Sequence, residues 1–134
     1  MRIIDYRSDT KSRPTDEMRK AMMEAEVGDD VAGEDPTVNH LEEMAAEILG
    51  KEAALLTSSG TQSNLVAILA QCQRGEEVIV GDRSHIYNAE AGGPSVLGGI
   101  ALHSVMNDEN GMINPIDIEN AIRPDDIHYD PSKI

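Results

Sequence analysis

The sequence predicts an α/β fold with a mainly parallel sheet, because helix-like and strand-like patterns alternate along its 134 residues. Apolar residues make up 40% of the chain, which is enough for a core. The length fits one domain or a piece of a larger one. Strand-like segments such as 78–80 are short and wholly apolar, as is typical of strands covered on both faces.

The N-terminal segment, residues 1–36, is expected to hold one helix and a loop. Pro14 and Thr15 mark the start of that helix, and apolar residues recur at helical spacing through 18–25. Turn-forming residues dominate 28–36 and predict a loop.

Residues 37–134 are expected to alternate between helices and strands. Thr37 is the predicted cap of a helix with one apolar face, and Gly50 is its expected left-handed end. Asn114 is the predicted cap of a later helix. The other expected elements are a strand at 53–57, a helix at 61–73 closed by Gly75, a strand at 78–80, a helical turn at 86–91, a strand at 100–105, a helix at 115–122 and a strand at 127–129.

Charge and composition exclude several classes of protein. Eleven Lys and Arg against 25 Asp and Glu give a net charge of −14, which argues against nucleic acid and anionic membranes as partners. The longest apolar run, 65–70, is far shorter than the ~20 residues of a membrane span. The N-terminus has no signal-peptide core, and a lone Cys72 suits a reducing compartment, so a cytoplasmic location is expected.

The segment 55–64 contains the clearest candidate binding site. An apolar run, the small loop 58–60 and a helix start form a pattern that binds anions, because unpaired amides and the positive end of the helix dipole face outward together. Gly60 allows close approach, and the hydroxyls of Ser59 and Thr61 can donate to phosphate oxygens. The pattern is neither a Walker A loop nor GxGxxG, and a capped helix after a tight turn is the alternative.

His85 is the second candidate, because it follows the strand predicted at 78–80. Loops at the carboxyl ends of parallel strands line the ligand crevice of such sheets, so His85 is expected on the same rim as Gly60 and Thr61. An imidazole there can stack on a planar ring or move a proton near neutral pH, and a histidine in a surface loop is the alternative. His128 is a candidate by the same reasoning.

Other polar residues give weaker signals. Several carboxylates raise the possibility of a metal site, but no set has metal-ligand spacing, so no metal is predicted and a solvated acidic face is the interpretation. These carboxylates are Glu34, Asp35, Asp82, Glu90, Asp125 and Asp126. His40 and His103 are also expected to face solvent. No GxSxG nucleophile motif is present.

Six short motifs occur in an order that resembles one enzyme family. They are Arg7-Ser8-Asp9-Thr10, Gly28-Asp29-Asp30-Val31 with Gly33-Glu34-Asp35-Pro36-Thr37, Ser59-Gly60-Thr61, His85-Ile86-Tyr87 with Glu90-Ala91-Gly92-Gly93, Asn107-Asp108-Glu109-Asn110-Gly111, and Arg123-Pro124-Asp125-Asp126-Ile127-His128. Together they resemble the N-terminal portion of the low-specificity L-threonine aldolases, pyridoxal-phosphate (PLP) enzymes of the aspartate-aminotransferase-like fold. The match covers essentially the whole chain.

The resemblance implies a fold and a reaction. The fold would be the three-layer αβα large domain of PLP enzymes of fold type I, of which residues 1–134 form an incomplete N-terminal part with no second domain. The reaction would be retro-aldol cleavage of L-threonine or L-allo-threonine to glycine and acetaldehyde, within amino-acid catabolism. A base takes the β-hydroxyl proton, the Cα–Cβ bond breaks, and the cofactor ring absorbs the electron pair.

The resemblance also implies roles for individual residues. The Ser59-Gly60-Thr61 loop would hold the cofactor phosphate, and His85 would stack on the pyridine ring and act on the substrate hydroxyl. Ser8 would contact the substrate carboxylate, and His128 would lie near the hydroxyl. Family members are homotetramers, so a homo-oligomer is expected.

The chain departs from the family pattern in three ways. Ala32 stands where the family usually has tyrosine, and Ala89 where it often has a bulky residue. The family's Schiff-base lysine, its aspartate for the pyridine nitrogen and its arginine for the substrate carboxylate belong further along than residue 134. We therefore expect negligible aldolase activity from this polypeptide alone with added cofactor.

Three hypotheses follow for the function. In the first, the chain is part of a threonine aldolase, either truncated or completed by another polypeptide that carries the missing Lys, Asp and Arg. The second is a β-eliminating lyase of another amino acid. The third is a non-catalytic fragment that binds phosphate ligands or a partner subunit.

Overall fold

The structure, a computed structural model, describes residues 4–128 and 133–134. The chain divides into two compact units, Met1–Leu56 and Thr57–Ile134. Among the described residues, no helix is both long and apolar enough to cross a membrane.

The first unit contains two α-helices and a short 3-10 helix, Asp9–Lys11. Helix α1 spans Asp16–Glu24 and begins at Thr15, whose hydroxyl accepts a hydrogen bond from the Met18 amide at 3.2 Å. Helix α2 spans Pro36–Leu49 and ends at Gly50, which has the left-handed φ of 60°. The predicted start at Thr15 and the predicted end at Gly50 are confirmed.

The predicted cap at Thr37 is wrong, because Asp35 caps α2. The Asp35 Oδ1 atom accepts from the amides of Thr37 and Val38 at 3.0 and 2.9 Å, while Oδ2 accepts from the Gly28 amide at 2.9 Å. A carboxylate has enough acceptor sites to bind the two amides at the helix start and the Gly28 amide of the loop, whereas one hydroxyl does not. The Thr37 hydroxyl instead donates to the Glu26 carbonyl at 2.6 Å.

The second unit is built on two parallel strands. Strand β1 spans Glu77–Gly81 and strand β2 spans Ala101–Val105, with Glu77 opposite Ala101 and Gly81 opposite Val105. Helix α3, Gly60–Gln71, precedes β1, and helix α5, Pro115–Ala121, follows β2. The core of this unit includes Val80, Ile100 and Pro94, which are buried. Strand positions 77–81 and 101–105 agree closely with the predicted 78–80 and 100–105.

The connection between the strands contains two short helices. Helix α4 spans His85–Asn88, and a π-helix, Pro94–Gly98, follows it. Gly98 lies close to α3 and to the residue before β2, since a Cβ there would be 2.8 Å from both Leu69 Cδ2 and Ile100 Cδ1. The helical turn predicted at 86–91 is present as α4, but it is shorter than predicted and begins at His85.

The strand predicted at 53–57 does not form. Leu55 and Leu56 are exposed, and the Leu56 amide donates to a side chain, Glu42 Oε1, rather than to a neighbouring strand. An apolar run becomes a strand only where a partner strand satisfies its backbone, and none of the described residues pairs with it.

The ends of two other predicted elements also differ. Helix α3 ends at Gln71, because Cys72 is already extended, and Gly75 instead turns the chain towards β1 with φ 86°. Ile127 and His128 lie in a turn rather than a strand, and Tyr129 is outside the described residues. At the chain end, the Glu77 amide of β1 donates to the Lys133 carbonyl at 2.8 Å. Asn114 caps α5 as predicted, accepting from the Ile116 amide.

Candidate active site

The N-terminus of α3 is shaped by the small polar residues that precede it. Ser59 is the N-cap, and its hydroxyl accepts from the Gln62 amide at 3.1 Å. The Gln62 side chain in turn accepts from the amide and the hydroxyl of Ser58 at 2.9 and 2.7 Å. These contacts fix the loop 58–60 as a defined bend in front of the helix.

The first amides of α3 remain available to a ligand. Within the described part of the chain, the backbone N–H groups of Gly60 and Thr61 donate to no other protein group. A Cβ at Gly60 would meet nothing within 4 Å, so the backbone there is open. Two free amides, the positive end of a helix dipole and the Thr61 hydroxyl form a donor set that suits a phosphate group.

His85 is held at the carboxyl end of β1 by a clamp around Asn107. The Asn107 Oδ1 atom accepts from the Arg83 amide at 3.0 Å, and its own amide donates to Asp82 Oδ1 at 2.8 Å. The Asn88 side chain closes the same loop by donating to the Asp82 carbonyl at 2.7 Å. The loop therefore presents His85 from a fixed backbone, and 68% of its side chain is exposed.

Glu90 joins His85 to α3. Its Oε1 atom lies 2.7 Å from His85 Nδ1 and accepts from Asn64 Nδ2 at 2.7 Å, while only 1% of its side chain is exposed. Asn64 lies four residues after Gly60, on the same helix face. Asn64, Glu90 and His85 therefore form one cluster that reaches α3 one turn after its start, and a shared site of His85 with Gly60 and Thr61 stays a prediction.

The hydrogen bond from His85 is the main reason why the pKa of Glu90 lies below its usual range; the bond from Asn64 adds to this, and burial opposes it. Glu90 is thus a carboxylate in the cluster at neutral pH. The interpretation of Glu90 and Asp35 as solvated carboxylates is wrong, since both residues are buried. Sequence analysis did not find Asn64 as a site residue, and its only signal was its position one turn into the helix.

The other predicted site residues lie elsewhere in the chain. Ser8 belongs to the first unit, where its hydroxyl is 2.9 Å from that of Thr10. His128 is exposed near the end of the second unit, and its amide donates to Asp126 Oδ1 at 2.8 Å. The substrate-binding roles of Ser8 and His128 stay predictions. His40 is exposed, whereas His103 is half-buried, with Nδ1 3.9 Å from Glu77 Oε2. The described residues contain no group of three His, Cys, Asp or Glu able to hold a metal.

Comparison with known proteins assigns the chain to a family. A model described as beta-eliminating lyase matches residues 5–134. The chain belongs to the beta-eliminating lyase family. The enzymes of this family depend on PLP and have fold type I, and the parallel strands with their helices are consistent with an incomplete αβα domain of that type.

Of three relatives compared with the chain, two are named L-threonine aldolases and one is named an alanine racemase. Over 133 residues the chain is 52% identical to the low specificity L-threonine aldolase of Escherichia coli (strain K12), covering 98% of this chain and 40% of that protein. Over 137 residues it is 49% identical to a probable low-specificity L-threonine aldolase 2 of Arabidopsis thaliana, covering 100% and 39%. It is 36% identical over 132 residues to an alanine racemase of Cochliobolus carbonum, covering 97% and 34%. The chain spans about two fifths of the length of the first two relatives.

Proposed function

We propose that this chain supplies the phosphate-binding loop and the stacking histidine of a PLP-dependent aldehyde-lyase. The reaction is retro-aldol cleavage of L-threonine or L-allo-threonine to glycine and acetaldehyde. The observation that carries the proposal is the cluster in which Glu90 joins the start of α3 to His85. The identity to enzymes named L-threonine aldolase supports the choice of substrate.

The residues at the start of α3 fit the cofactor's phosphate. The amides of Gly60 and Thr61 and the Thr61 hydroxyl can donate to its oxygens, and the missing side chain at Gly60 leaves space for them. Since the protein is strongly acidic overall, these local donors and the helix dipole provide the attraction for an anion.

The chemistry of the site divides between cofactor and chain. When bound, PLP provides the ring that takes up the electron pair released at the broken Cα–Cβ bond. The exposed imidazole of His85 would cover a face of the bound ring and would accept the proton of the substrate β-hydroxyl. Ser8 contributes a hydroxyl for the substrate carboxylate, and His128 a second imidazole near the hydroxyl; the resemblance to the aldolases supports both roles.

Two further properties belong to the same proposal. A homo-oligomer is supported by the many exposed apolar side chains of both units. A cytoplasmic location is supported by the single cysteine, Cys72, which is free.

A chimera tests the proposed reaction. Residues 1–134 replace the matched 133 residues of the Escherichia coli aldolase, and acetaldehyde release from threonine is measured. We expect threonine cleavage, and we expect His85→Asn to lower kcat by about 100-fold, as is typical for loss of a general base. His40→Asn, at an exposed histidine of α2, is the matched control and should leave kcat unchanged. A folded chimera that binds PLP but releases no acetaldehyde would contradict the proposal.

Phosphate binding can be tested on the chain itself. The probe is 4′-deoxypyridoxine 5′-phosphate, which lacks the aldehyde and so cannot react with lysines. We expect its addition to shift the amide resonances of Gly60 and Thr61, and Gly60→Ala to weaken binding because the added methyl group fills the open space. Gly93→Ala also adds a methyl group into open space, outside the α3 loop, and serves as the control.

A second candidate function is favoured by one relative. The 36% identity to a protein named alanine racemase indicates that this N-terminal architecture also accompanies a different reaction at Cα. Chiral analysis of alanine incubated with the chimera distinguishes racemisation from threonine cleavage.

A further inference from the structure

Glu90 is buried in the cluster while its histidine partner is open to solvent. Its side chain is 1% exposed against 68% for His85. A single oxygen, Oε1, receives both His85 Nδ1 and Asn64 Nδ2, each at 2.7 Å. Asn64 belongs to α3, so its hydrogen bond anchors the Glu90 carboxylate to this helix, and the same carboxylate oxygen contacts the imidazole of His85.

This arrangement determines which imidazole nitrogen carries a proton. An ionised carboxylate only accepts hydrogen bonds, so Nδ1 of His85 must be the donor. In the neutral ring the other nitrogen, Nε2, then carries no proton and is the basic one. A neutral histidine side chain in water favours the opposite tautomer, with the proton on Nε2, so the Glu90 contact changes the state of the ring as well as its orientation.

The backbone next to Glu90 is held in an unfavourable conformation. Ala91 has φ 52°, in the left-handed region that residues other than glycine seldom adopt. Such strain persists only where the surrounding structure imposes it, and it concentrates at functional sites. Gly92, the next residue, also has a left-handed φ of 67°, so two successive residues after the buried Glu90 share this conformation.

We propose that Glu90, anchored by Asn64, is the positioning residue that keeps Nδ1 of His85 protonated and leaves Nε2 free to accept the substrate's proton. The tautomer follows from the geometry of this chain alone. Its catalytic consequence rests on the proposed function.

The test measures the tautomer by NMR. The chain is labelled with ¹⁵N-histidine, and imidazole nitrogen shifts are recorded at about pH 9, where ordinary imidazoles are neutral. His85→Asn identifies the His85 signals. We expect a protonated Nδ1 and an unprotonated Nε2 at His85. A wild-type spectrum in which Nε2 of His85 carries the proton would overturn the proposal without any further variant.

Two variants separate charge from packing. Glu90→Gln keeps the shape but removes the ionised acceptor, so we expect the His85 population to move towards the Nε2-protonated form. Glu90→Asp keeps the charge and should restore part of the Nδ1-protonated population. His103, also near a buried glutamate but 3.9 Å from it, is the internal control and should not respond. An unchanged His85 ratio in a folded Glu90→Gln chain would contradict the proposal.

A second measurement distinguishes the failure of this inference from the failure of the proposed function. Binding of 4′-deoxypyridoxine 5′-phosphate tests the α3 loop and does not depend on the tautomer. In the chimera, Glu90→Gln should lower kcat about 10-fold, as loss of a hydrogen-bond partner behind a functional histidine commonly does. A correct tautomer with no analogue binding would leave Glu90's role intact and overturn the cofactor site. Analogue binding with the wrong tautomer would overturn Glu90's role alone.

Discussion

Buried carboxylates are the residues whose environment the sequence predicts least well. The charge of −14 favours solvated Asp and Glu, yet Asp35 and Glu90 are each less than a tenth exposed. Glu90 accepts a hydrogen bond from Asn64, 26 residues away, whereas the donors to Asp35 are backbone amides at most seven residues away. No local pattern reports the contact between Asn64 and Glu90, whereas the motif order predicts a shared site for His85 and the 59–61 loop, which stays a prediction.

Asp35 should make the stability of the first unit depend on pH. Hydrogen bonds from the amides of Gly28, Val38 and Thr37 hold the pKa of Asp35 below its ordinary value of 3.8. A lowered pKa in the folded state stabilises the fold above the unfolded pKa, and that stabilisation is lost as pH falls through the folded pKa. We expect Asp35→Asn to lower the urea midpoint by more at pH 7 than at pH 2, measured by circular dichroism. An equal effect at both pH values would contradict this account.

Replacing the left-handed Ala91 with glycine should stabilise the folded protein. Releasing a left-handed alanine gains about 1–2 kcal/mol, and the added freedom of glycine in the unfolded chain costs about 0.5–1 kcal/mol. We therefore expect Ala91→Gly to raise the free energy of unfolding by about 0.5–1 kcal/mol in urea titrations. Ala89→Gly is the matched control two residues away, where φ is −129° and only the cost applies. Destabilisation by both variants would show that no strain is stored at Ala91.

Three helix ends were predictable at the scale of elements, while the cap of α2, the end of α3 and the strand expected at 53–57 were not. Thr15, Gly50 and Asn114 act through contacts within a few residues, so their sequence signals are local and correct. The strand expected at 53–57 depends on a neighbour that local pattern cannot supply. The position of α4 depends similarly on the Asn107 clamp, which links the turns after β1 and β2.

Gly81 should be essential to that clamp. A Cβ at Gly81 would lie only 2.3 Å from Asn107 Oδ1, which accepts from the Arg83 amide, while Asn107 Nδ2 donates to the Gly111 carbonyl. We expect Gly81→Ala to displace this side chain and to cost about 2 kcal/mol, roughly two hydrogen bonds. The amide of Arg83 should then lose its protection in hydrogen exchange. Gly93→Ala, whose added methyl group enters open space, should neither lower stability nor change the protection of the Arg83 amide. Normal protection of the Arg83 amide in Gly81→Ala would disprove the clamp.

For the molecule as a whole, the family and the α/β class were predictable, and the distribution of exposed surface was not. The ordered motifs predict the family, and the beta-eliminating lyase match over residues 5–134 confirms it. The apolar face expected on α2 exists as a pattern, but Leu41, Met44, Ile48 and Leu49 are all at least 40% exposed. Amphipathic spacing predicts that a face will be covered without specifying what covers it.

Self-association of the chain should therefore increase with salt. Burying exposed apolar surface favours association by about 25 cal/mol per Å², while the net charge of −14 opposes it. Salt shortens the range of that repulsion, from about 30 Å at 0.01 M to about 3 Å at 1 M, and leaves the apolar contribution in place. In sedimentation velocity at fixed protein concentration, we expect the mean sedimentation coefficient to rise with NaCl. The Val31 side chain is 98% exposed, so Val31→Asp should reduce the salt-induced rise in the sedimentation coefficient if the first unit contributes to the contact between copies. His40→Asp, at an exposed position of the same unit, is the charge-matched control. Dissociation on adding salt would instead mean that ion pairs hold the copies together, because screening weakens association only where the screened charge contacts are attractive.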